Sequence, residues 1–230
     1  MADAFASHPL DRVIWNSLTS RHAGLAEGGD LARRYPARIG PLAAVREETP
    51  EAFAALAALA PAGDRVGLLS REPLALQPAF SVAFTDAIDQ MVLTGPVPAA
   101  TEAAFDPLGP TDVPEMKALA DLTRPGPFSH DTHELGSYLG LRAGGELISM
   151  AGYRMHLDGF REISAVYVHP GHRGRGHAAA LVVALARSIA AAGETPFLHV
   201  LSSNAPAIPL YLKLGFALHR TLRFTLLERR

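Results

Sequence analysis

Residues 172–178 read HRGRGHA, and they join two segments of very different pattern. The preceding residues 161–168, REISAVYV, have the composition of a strand, and the following residues 175–192 carry apolar side chains at helical spacing. A glycine-rich joint from a strand to a helix is typical of an anion site. The first amides of the helix lack partners within it, and the helix dipole adds positive charge there. The stretch therefore predicts that a phosphate group binds at the start of this helix.

Four residues of the joint support a pyrophosphate site. Gly174 and Gly176 lack a Cβ atom, so a phosphate can approach the backbone, and either glycine can adopt a positive φ. Arg173 and Arg175 add positive charge and paired N–H donors. The alternative is a tight turn into a helix with two solvated arginines.

The glycine spacing excludes one class of phosphate loop. A P-loop needs a lysine followed by Ser or Thr after its second glycine, and none follows here. Gly174 and Gly176, followed by Ala179, approach the dinucleotide fingerprint, which leaves a dinucleotide-dependent oxidoreductase as an alternative. The antiparallel strands predicted before the joint do not fit the doubly wound parallel sheet of that class.

The residues around the joint predict a largely antiparallel sheet. Two tight turns, at 144–145 and 157–159, separate three strands. A fourth strand at 196–201 follows the helix, and we expect it to lie parallel to the third because a helical crossover connects them. A short helix at 208–214 and one or two strands complete the chain. The three antiparallel strands are predicted at 137–143, 146–156 and 161–168.

The pattern of residues 1–105 predicts a mixed α/β region, in which we find no catalytic or binding motif. Thr49 caps a helix. We interpret the proline-rich stretch 95–114 as the connection between the two halves of the chain. It leads to a second helix, which is predicted to be capped by Thr111 or Asp112. Strands are predicted at 65–70 and 88–94.

Composition excludes several classes of protein. The 230 residues are 48% hydrophobic, which suffices for a sizeable core. The formal net charge is −2, whereas proteins that bind nucleic acid usually carry a positive net charge. There is no cysteine, so disulfides, thiolate metal sites and a cysteine nucleophile are excluded. No signal peptide or membrane-spanning stretch is visible, and we expect a cytoplasmic protein without a membrane partner.

Two motifs together resemble those of the GNAT superfamily of N-acyltransferases. Residues 173–178 have the form R-x-x-G-x-A, which resembles the acetyl-CoA-binding motif of that superfamily. Residues 204–216, NAPAIPLYLKLGF, resemble its second motif, N-x-x-A-x-x-L-Y-x-x-x-G-F. The stretches TRPGPF (123–128), EISAVYVHP (162–170) and FLHV (197–200) resemble a subgroup in which a divergent N-terminal half precedes the catalytic half.

The resemblance covers residues 111–230 and implies a fold. That fold is α/β (α+β), with a mixed, largely antiparallel central sheet flanked by helices. Residues 111–230 are expected to form the acetyltransferase domain. Residues 1–105 are expected to form an N-terminal α/β region of related plan, a degenerate GNAT-like half.

The resemblance also implies the site for acetyl-CoA, the cosubstrate. In such folds two strands splay apart, the backbone of one pairs with the pantetheine arm, and an N–H near Val168 polarises the thioester carbonyl. The Asn204 side chain is expected to hydrogen-bond the pantetheine amide; by its residue type alone it could equally be a turn residue. Tyr211 is expected to donate a proton to the departing thiolate, since a phenol with a pKa of about 10 is protonated at neutral pH. The cofactor-binding residues predicted are Val166, Tyr167, Val168, Arg173, Gly174, Arg175, Gly176, His177, Ala178, Asn204 and Tyr211.

A primary amine must lose a proton before it attacks, which at pH 7 costs about 4–5 kcal/mol for a lysine-like amine. Glu162 is the first candidate for the general base and Glu146 the second, although either could be a solvated strand charge. Ser164 and His199 are also within plausible reach. Residues 130–133, HDTH, lack the spacing of a metal site and are interpreted as a surface loop, so no metal is expected.

The sequence therefore predicts an N-acetyltransferase that moves an acetyl group from acetyl-CoA to a primary amine by direct attack in a ternary complex. The acceptor would be a small-molecule or peptide amine, and neither its identity nor the oligomeric state follows from the sequence. The alternatives are a non-catalytic acyl-CoA-binding module, in which Tyr211 would be a core aromatic, and the oxidoreductase.

Overall fold

A computed structural model of the chain describes residues 8–75, 77–100, 103–123 and 128–230. The predicted helix stop TRPGPF lies largely outside the described residues, which omit 124–127. The α-helices are α1 (Val13–Thr19), α2 (Pro50–Leu59), α3 (Val113–Thr123), α4 (His177–Ala191) and α5 (Ala207–Lys213). The strands are β1 (Glu27–Gly28), β2 (Ala32–Arg34), β3 (Ala43–Val45), β4 (Arg65–Ser70), β5 (Phe80–Leu93), β6 (Asp106–Leu108), β7 (Tyr138–Ala143), β8 (Glu146–Leu157), β9 (Phe160–Val168), β10 (Thr195–Leu201) and β11 (Phe216–Arg229).

An eight-stranded sheet organises the molecule, in the order β4-β11-β5-β10-β9-β8-β7-β6. Every neighbouring pair is antiparallel except β9 and β10, which are parallel as the crossover through α4 predicts. β1, β2 and β3 form a second, small sheet, which adjoins β4 through a bridge between Leu42 and Gly67. The fold class predicted from the sequence, a mixed and largely antiparallel sheet flanked by helices, is confirmed.

The two halves of the chain share this sheet. β4 and β5 precede residue 105, yet β5 lies between β10 and β11, which come from the second half. The predicted boundary between 1–105 and 111–230 therefore runs through one sheet rather than between two. β5 also begins at Phe80, eight residues before the strand predicted at 88–94.

Hydrophobic cores cover both faces of the sheet. On one face the apolar stripe of α4 packs against β8, β9 and β10, and Leu181, Val182, Leu185 and Ile189 are at most 2% exposed. On the other face α1 and the turn before it pack over β8 and β10, with Leu10, Leu18 and Phe197 fully buried. No helix in the described parts of the chain is long and apolar enough to span a membrane.

Local signals determine where most elements begin and end. Thr49 accepts a hydrogen bond from the amide of Ala52 and caps α2 as predicted. Asp112 accepts a hydrogen bond from the amide of Gly109 at the turn that leads into α3. The hairpin turn at 144–145 places both glycines at positive φ, 61° and 91°, so it joins β7 to β8 without side-chain strain.

Candidate active site

A gap opens between β9 and β10. The two strands pair only from Phe160 to Glu162 and from Thr195 to Phe197, although they continue to Val168 and Leu201. β8 pairs with the opposite edge of β9, and β5 pairs with the opposite edge of β10. The strands therefore part beyond Glu162, and one edge of β9 is left without a strand neighbour.

The free edge of β9 offers backbone groups to this gap. The amide of His169 donates to the carbonyl of Ile148 on β8, so by the alternation of an antiparallel ladder the backbone of Tyr167 also faces β8. The backbone groups of Val166 and Val168 consequently face the gap. An extra residue in β9 near Ala165, which has a positive φ of 53°, bends the strand just before these groups.

Within the predicted trio 166–168, Tyr167 has a different environment. Its side chain is 6% exposed and packs edge-on against the ring of Phe128. Burial raises the pKa of Tyr167 to about 12, against the opposing charge of Arg154. Tyr167 is therefore a core residue, and the gap-facing edge of β9 is carried by its two neighbours.

The helix α4 begins at the outer end of β9. Its N-cap residue is Gly176, at a φ of 82°, and no side chain caps the first amides of the helix, which include those of His177 and Ala178. Gly174 also has a positive φ, 76°, and a Cβ atom added at either glycine would meet no neighbour within 4 Å. The requirement for glycine is thus conformational, and the uncapped amides remain open to an anion.

The two arginines of the joint are exposed and carry no acidic partner among the described residues. The guanidinium of Arg173 donates to the carbonyl of Val168 at 3.4 Å, and that of Arg175 donates to the carbonyl of Gly171 at 3.4 Å. Desolvation and the charge of Arg175 lower the pKa of His172 on the same loop. The loop therefore presents two exposed guanidinium groups next to the uncapped start of α4.

The second motif lies at the C-terminal end of β10. Asn204 follows a turn after the strand, and its side-chain oxygen accepts a weak hydrogen bond of 3.3 Å from the amide of Ala207, the first residue of α5. Asn204 thus shapes the start of α5, while its NH2 group has no partner in the described parts of the chain. Tyr211, one turn further, is 8% exposed and packs edge-on against Phe216.

The Tyr211 phenol keeps its proton over the whole physiological pH range. Burial raises its pKa to about 12, and its hydroxyl makes no hydrogen bond with any described residue. A protonated phenol of this kind is suited to donate a proton and not to accept one. The role of Tyr211 as the proton donor stays a prediction.

The structure corrects the role expected for Glu162. Its side chain is 0% exposed, and it accepts two hydrogen bonds from Arg154, one from the Met155 amide at 3.1 Å and one from His199 at 2.8 Å. Burial alone would favour the neutral acid, but the charge and hydrogen bonds of Arg154 and His199 outweigh it and lower the pKa of Glu162 to about 2. A buried, paired carboxylate with so low a pKa is a poor general base.

The other candidates for the base lie in different places. Glu146 is exposed at the outer end of β8, next to the turn at 144–145 and away from the point where the strands part. Ser164 is half-buried on β9, two residues beyond Glu162. The His199 side chain is 3% exposed on β10, and both its ring nitrogens have partners, Glu162 and Gln90.

Two residues of this cluster, Arg154 and Gln90, were not predicted from the sequence. Arg154 lies in the C-terminal part of β8 and Gln90 in the C-terminal part of β5, which belongs to the first half of the chain. No spacing or motif connects them with the glycine-rich joint. Only the pairing of the strands brings them to the gap.

Histidine clusters elsewhere are engaged with other groups. In the predicted surface loop 130–133, Asp131 bonds to exposed His130 and to Arg38. His8, Asp11 and His219 place possible ligand atoms within 4.8 Å of one another. Asp11 is already paired with two arginines, Arg71 and Arg220, whose charges oppose a cation there.

A cavity of about 440 Å³ lies away from the gap, between residues 11–15, β3 and β4. None of the residues predicted to bind acetyl-CoA lines it. The two motifs therefore lie at the gap between β9 and β10 and not at this cavity.

Comparisons with known proteins agree with this geometry. The family model for FR47-like proteins matches residues 138–225. A crystal structure assigned to the GNAT family of acetyltransferases, from Novosphingobium aromaticivorans, is 41% identical, with a TM-score of 0.91 over 97% of this chain and 100% of that one. No curated protein matches the chain.

More distant structures show the same fold. A GCN5-related N-acetyltransferase from Kribbella flavida matches 94% of this chain and 95% of its own, at 13% identity and a TM-score of 0.58. A GCN5-related N-acetyltransferase-like protein from Streptococcus suis matches 95% and 92%, at 13% identity and a TM-score of 0.59. The relative that is 41% identical over nearly the whole chain speaks against the oxidoreductase alternative. The chain belongs to the GNAT family and is an acyltransferase.

Proposed function

We propose that the protein transfers an acetyl group from acetyl-CoA to a primary amine, by direct attack within a ternary complex. The observation that carries this proposal is the gap between β9 and β10, which has a free backbone edge along one side and the uncapped start of α4 at its outer end. An extended amide-containing arm that ends in a pyrophosphate matches both features. The absence of cysteine also suits a mechanism without a thioester intermediate on the protein.

The binding residues follow from these features. The first amides of α4, at His177 and Ala178, and the guanidinium groups of Arg173 and Arg175 would hold the pyrophosphate. The backbone of Val166 and Val168 would pair with the pantetheine arm in the manner of an added strand. The free NH2 group of Asn204 would donate to a carbonyl of the same arm.

The chemistry is a simple exchange at a carbonyl. Acetyl-CoA supplies an activated acetyl group, whose carbon forms a bond to the amine nitrogen as its bond to sulfur breaks. A backbone N–H on the free edge of β9 stabilises the negative charge that develops on the carbonyl oxygen. The Tyr211 hydroxyl gives its proton to the departing sulfur and is reprotonated through water. The proton lost by the amine leaves through water, since Glu162 is buried and paired.

A screen of amines tests the proposal. Purified protein is incubated with acetyl-CoA and amino acids, polyamines, lysine peptides or peptides with free N-termini, and the released thiol and the acetylated product are measured. We expect product with at least one amine class and about a hundredfold loss of kcat in Tyr211→Phe. The proposal fails if calorimetry detects no binding of acetyl-CoA to the wild-type protein.

A further inference from the structure

A chain of side-chain hydrogen bonds, which we call the belt, crosses four neighbouring strands where the gap begins. Its members are Arg154 on β8, Glu162 on β9, His199 on β10 and Gln90 on β5. Arg154 Nε donates to Glu162 at 2.9 Å, His199 Nδ1 lies 2.8 Å from Glu162, and Gln90 Nε2 lies 3.0 Å from His199 Nε2. Gln90 Nε2 also donates to the carbonyl of Leu10, at 3.2 Å. The belt thus connects the sheet with the turn that precedes α1.

The belt begins where the backbone ladder between β9 and β10 ends. Glu162 opposite Phe197 is the last backbone pair between the two strands. The next link between them is the side-chain bond from His199 to Glu162, which lies beyond that pair. Glu162 and Gln90 are 0% exposed, so water does not compete for these bonds.

The partners of His199 determine where its protons lie. Gln90 Nε2 donates to a backbone carbonyl, so it is the NH2 group of the amide that also faces His199 Nε2. His199 Nε2 is therefore the acceptor, and His199 Nδ1 carries the hydrogen that is donated to Glu162. Because the lone pair of the ring is already used, His199 is not placed to take a proton from an amine.

We propose that His199 is a positioning residue, which through Glu162 and Gln90 sets the separation of β9 and β10 and thereby the placement of the acyl-CoA thioester against the edge of β9. The ring spans from β9 to β5 and uses both nitrogens to do so. A side chain with one polar end can keep only one of these links. The inference rests on the proposed function only in that the gap is the acyl-CoA site.

Two substitutions separate this role from simple packing. His199→Leu removes both links while retaining an apolar side chain, whereas His199→Asn keeps an N–H donor near the position of Nδ1 for Glu162. Leu198→Val serves as the control, because Leu198 is 1% exposed on the same strand but packs in the core against α4. It lowers stability without touching the belt.

Calorimetry with acetyl-CoA and the thermal midpoint are measured for each variant. We expect His199→Leu to raise the Kd about tenfold, and to lower kcat up to about a hundredfold once an acceptor is known, because small displacements of reacting groups are costly. His199→Asn keeps only the link to Glu162, so it should restore part of the affinity, and the control should lower only the midpoint. Equal Kd values for all variants, with only midpoints reduced, would overturn the proposal.

A crystal structure of ligand-free His199→Leu tests the positioning role of His199 directly. The expected result is a changed separation of β9 and β10 beyond Glu162, with the paired segment Phe160–Glu162 in place. An unchanged separation overturns the positioning role even if affinity falls. Failure of the wild-type protein to bind acetyl-CoA would instead refute the proposed function, and the separation in the variant would still test the role of His199.

Discussion

The ion pair between Glu162 and Arg154 should contribute a measurable part of the free energy of unfolding. The pKa of Glu162 falls from an ordinary value of 4.5 to about 2, because the charge and hydrogen bonds of Arg154 outweigh the effect of burial. A depression of that size corresponds to about 3 kcal/mol of folding free energy at neutral pH. Glu162→Gln removes the charge and leaves Arg154 without its partner, so we expect a loss of at least that order.

The pH dependence has a definite sign. A carboxylate whose pKa is lower in the folded state contributes its full stabilisation above the unfolded value of 4.5, and this contribution is lost as pH falls through about 2. Glu162→Gln has no such charge at any pH. The difference in unfolding free energy between the wild type and the variant should therefore be largest at neutral pH and should shrink below about pH 5.

Urea denaturation followed by circular dichroism, at pH 7 and at several values between 5 and about 3, measures this difference. Glu115→Gln is the control, because Glu115 forms an exposed pair with Arg142 and should contribute under about 1 kcal/mol. The double variant Arg154→Met with Glu162→Gln should recover part of the loss, since no buried charge is then left unpaired. A difference that is small at pH 7, or that does not change with pH, would refute the reasoning.

Three further predictions concern the site and the sheet. Tyr211→Phe keeps the buried ring, so kcat should fall about a hundredfold while the thermal midpoint changes little; a normal kcat would exclude Tyr211 as the proton donor. Gly176→Ala should cost about 1–2 kcal/mol of stability through its positive φ and also weaken acetyl-CoA binding. Gly193→Ala, with a φ of 76° beyond the other end of α4, should cost similar stability and leave the Kd unchanged, so equal Kd values in both would contradict the anion site. Removal of residues 1–105 deletes β5 from between β10 and β11, so the fragment should lack a cooperative unfolding transition; a folded fragment would show that the second half completes its own sheet.

The sequence predicted the elements of the second half well because their signals are local. Positive φ at Gly174 and Gly176 follows from residue type, and the stripe of α4 follows from its spacing. The first part of β5 was missed, although Phe80, Val82 and Phe84 alternate with small or polar residues as in a strand. Val82 and Phe84 are 43% and 47% exposed, so these two side chains do not contribute to a core.

The role of Glu162 shows where local signals end. An acidic residue at the start of a strand indicates a charged group, but its pKa depends on which cation faces it across the sheet. Arg154 comes from the neighbouring strand, and Gln90 lies 109 positions away from His199 in the sequence. Such neighbours are determined by strand order, which no spacing in the sequence expresses.

The amino-acid sequence alone thus determined the glycine-rich loop, the acyltransferase motifs and the order of elements around them, because glycine conformation, helix capping and side-chain periodicity act over a few residues. Only the tertiary structure decided that β5 of the first half completes the central sheet and that Glu162 is an ion-pair partner and not a base. The physical reason is that burial and charge pairing depend on residues that become neighbours when distant strands align.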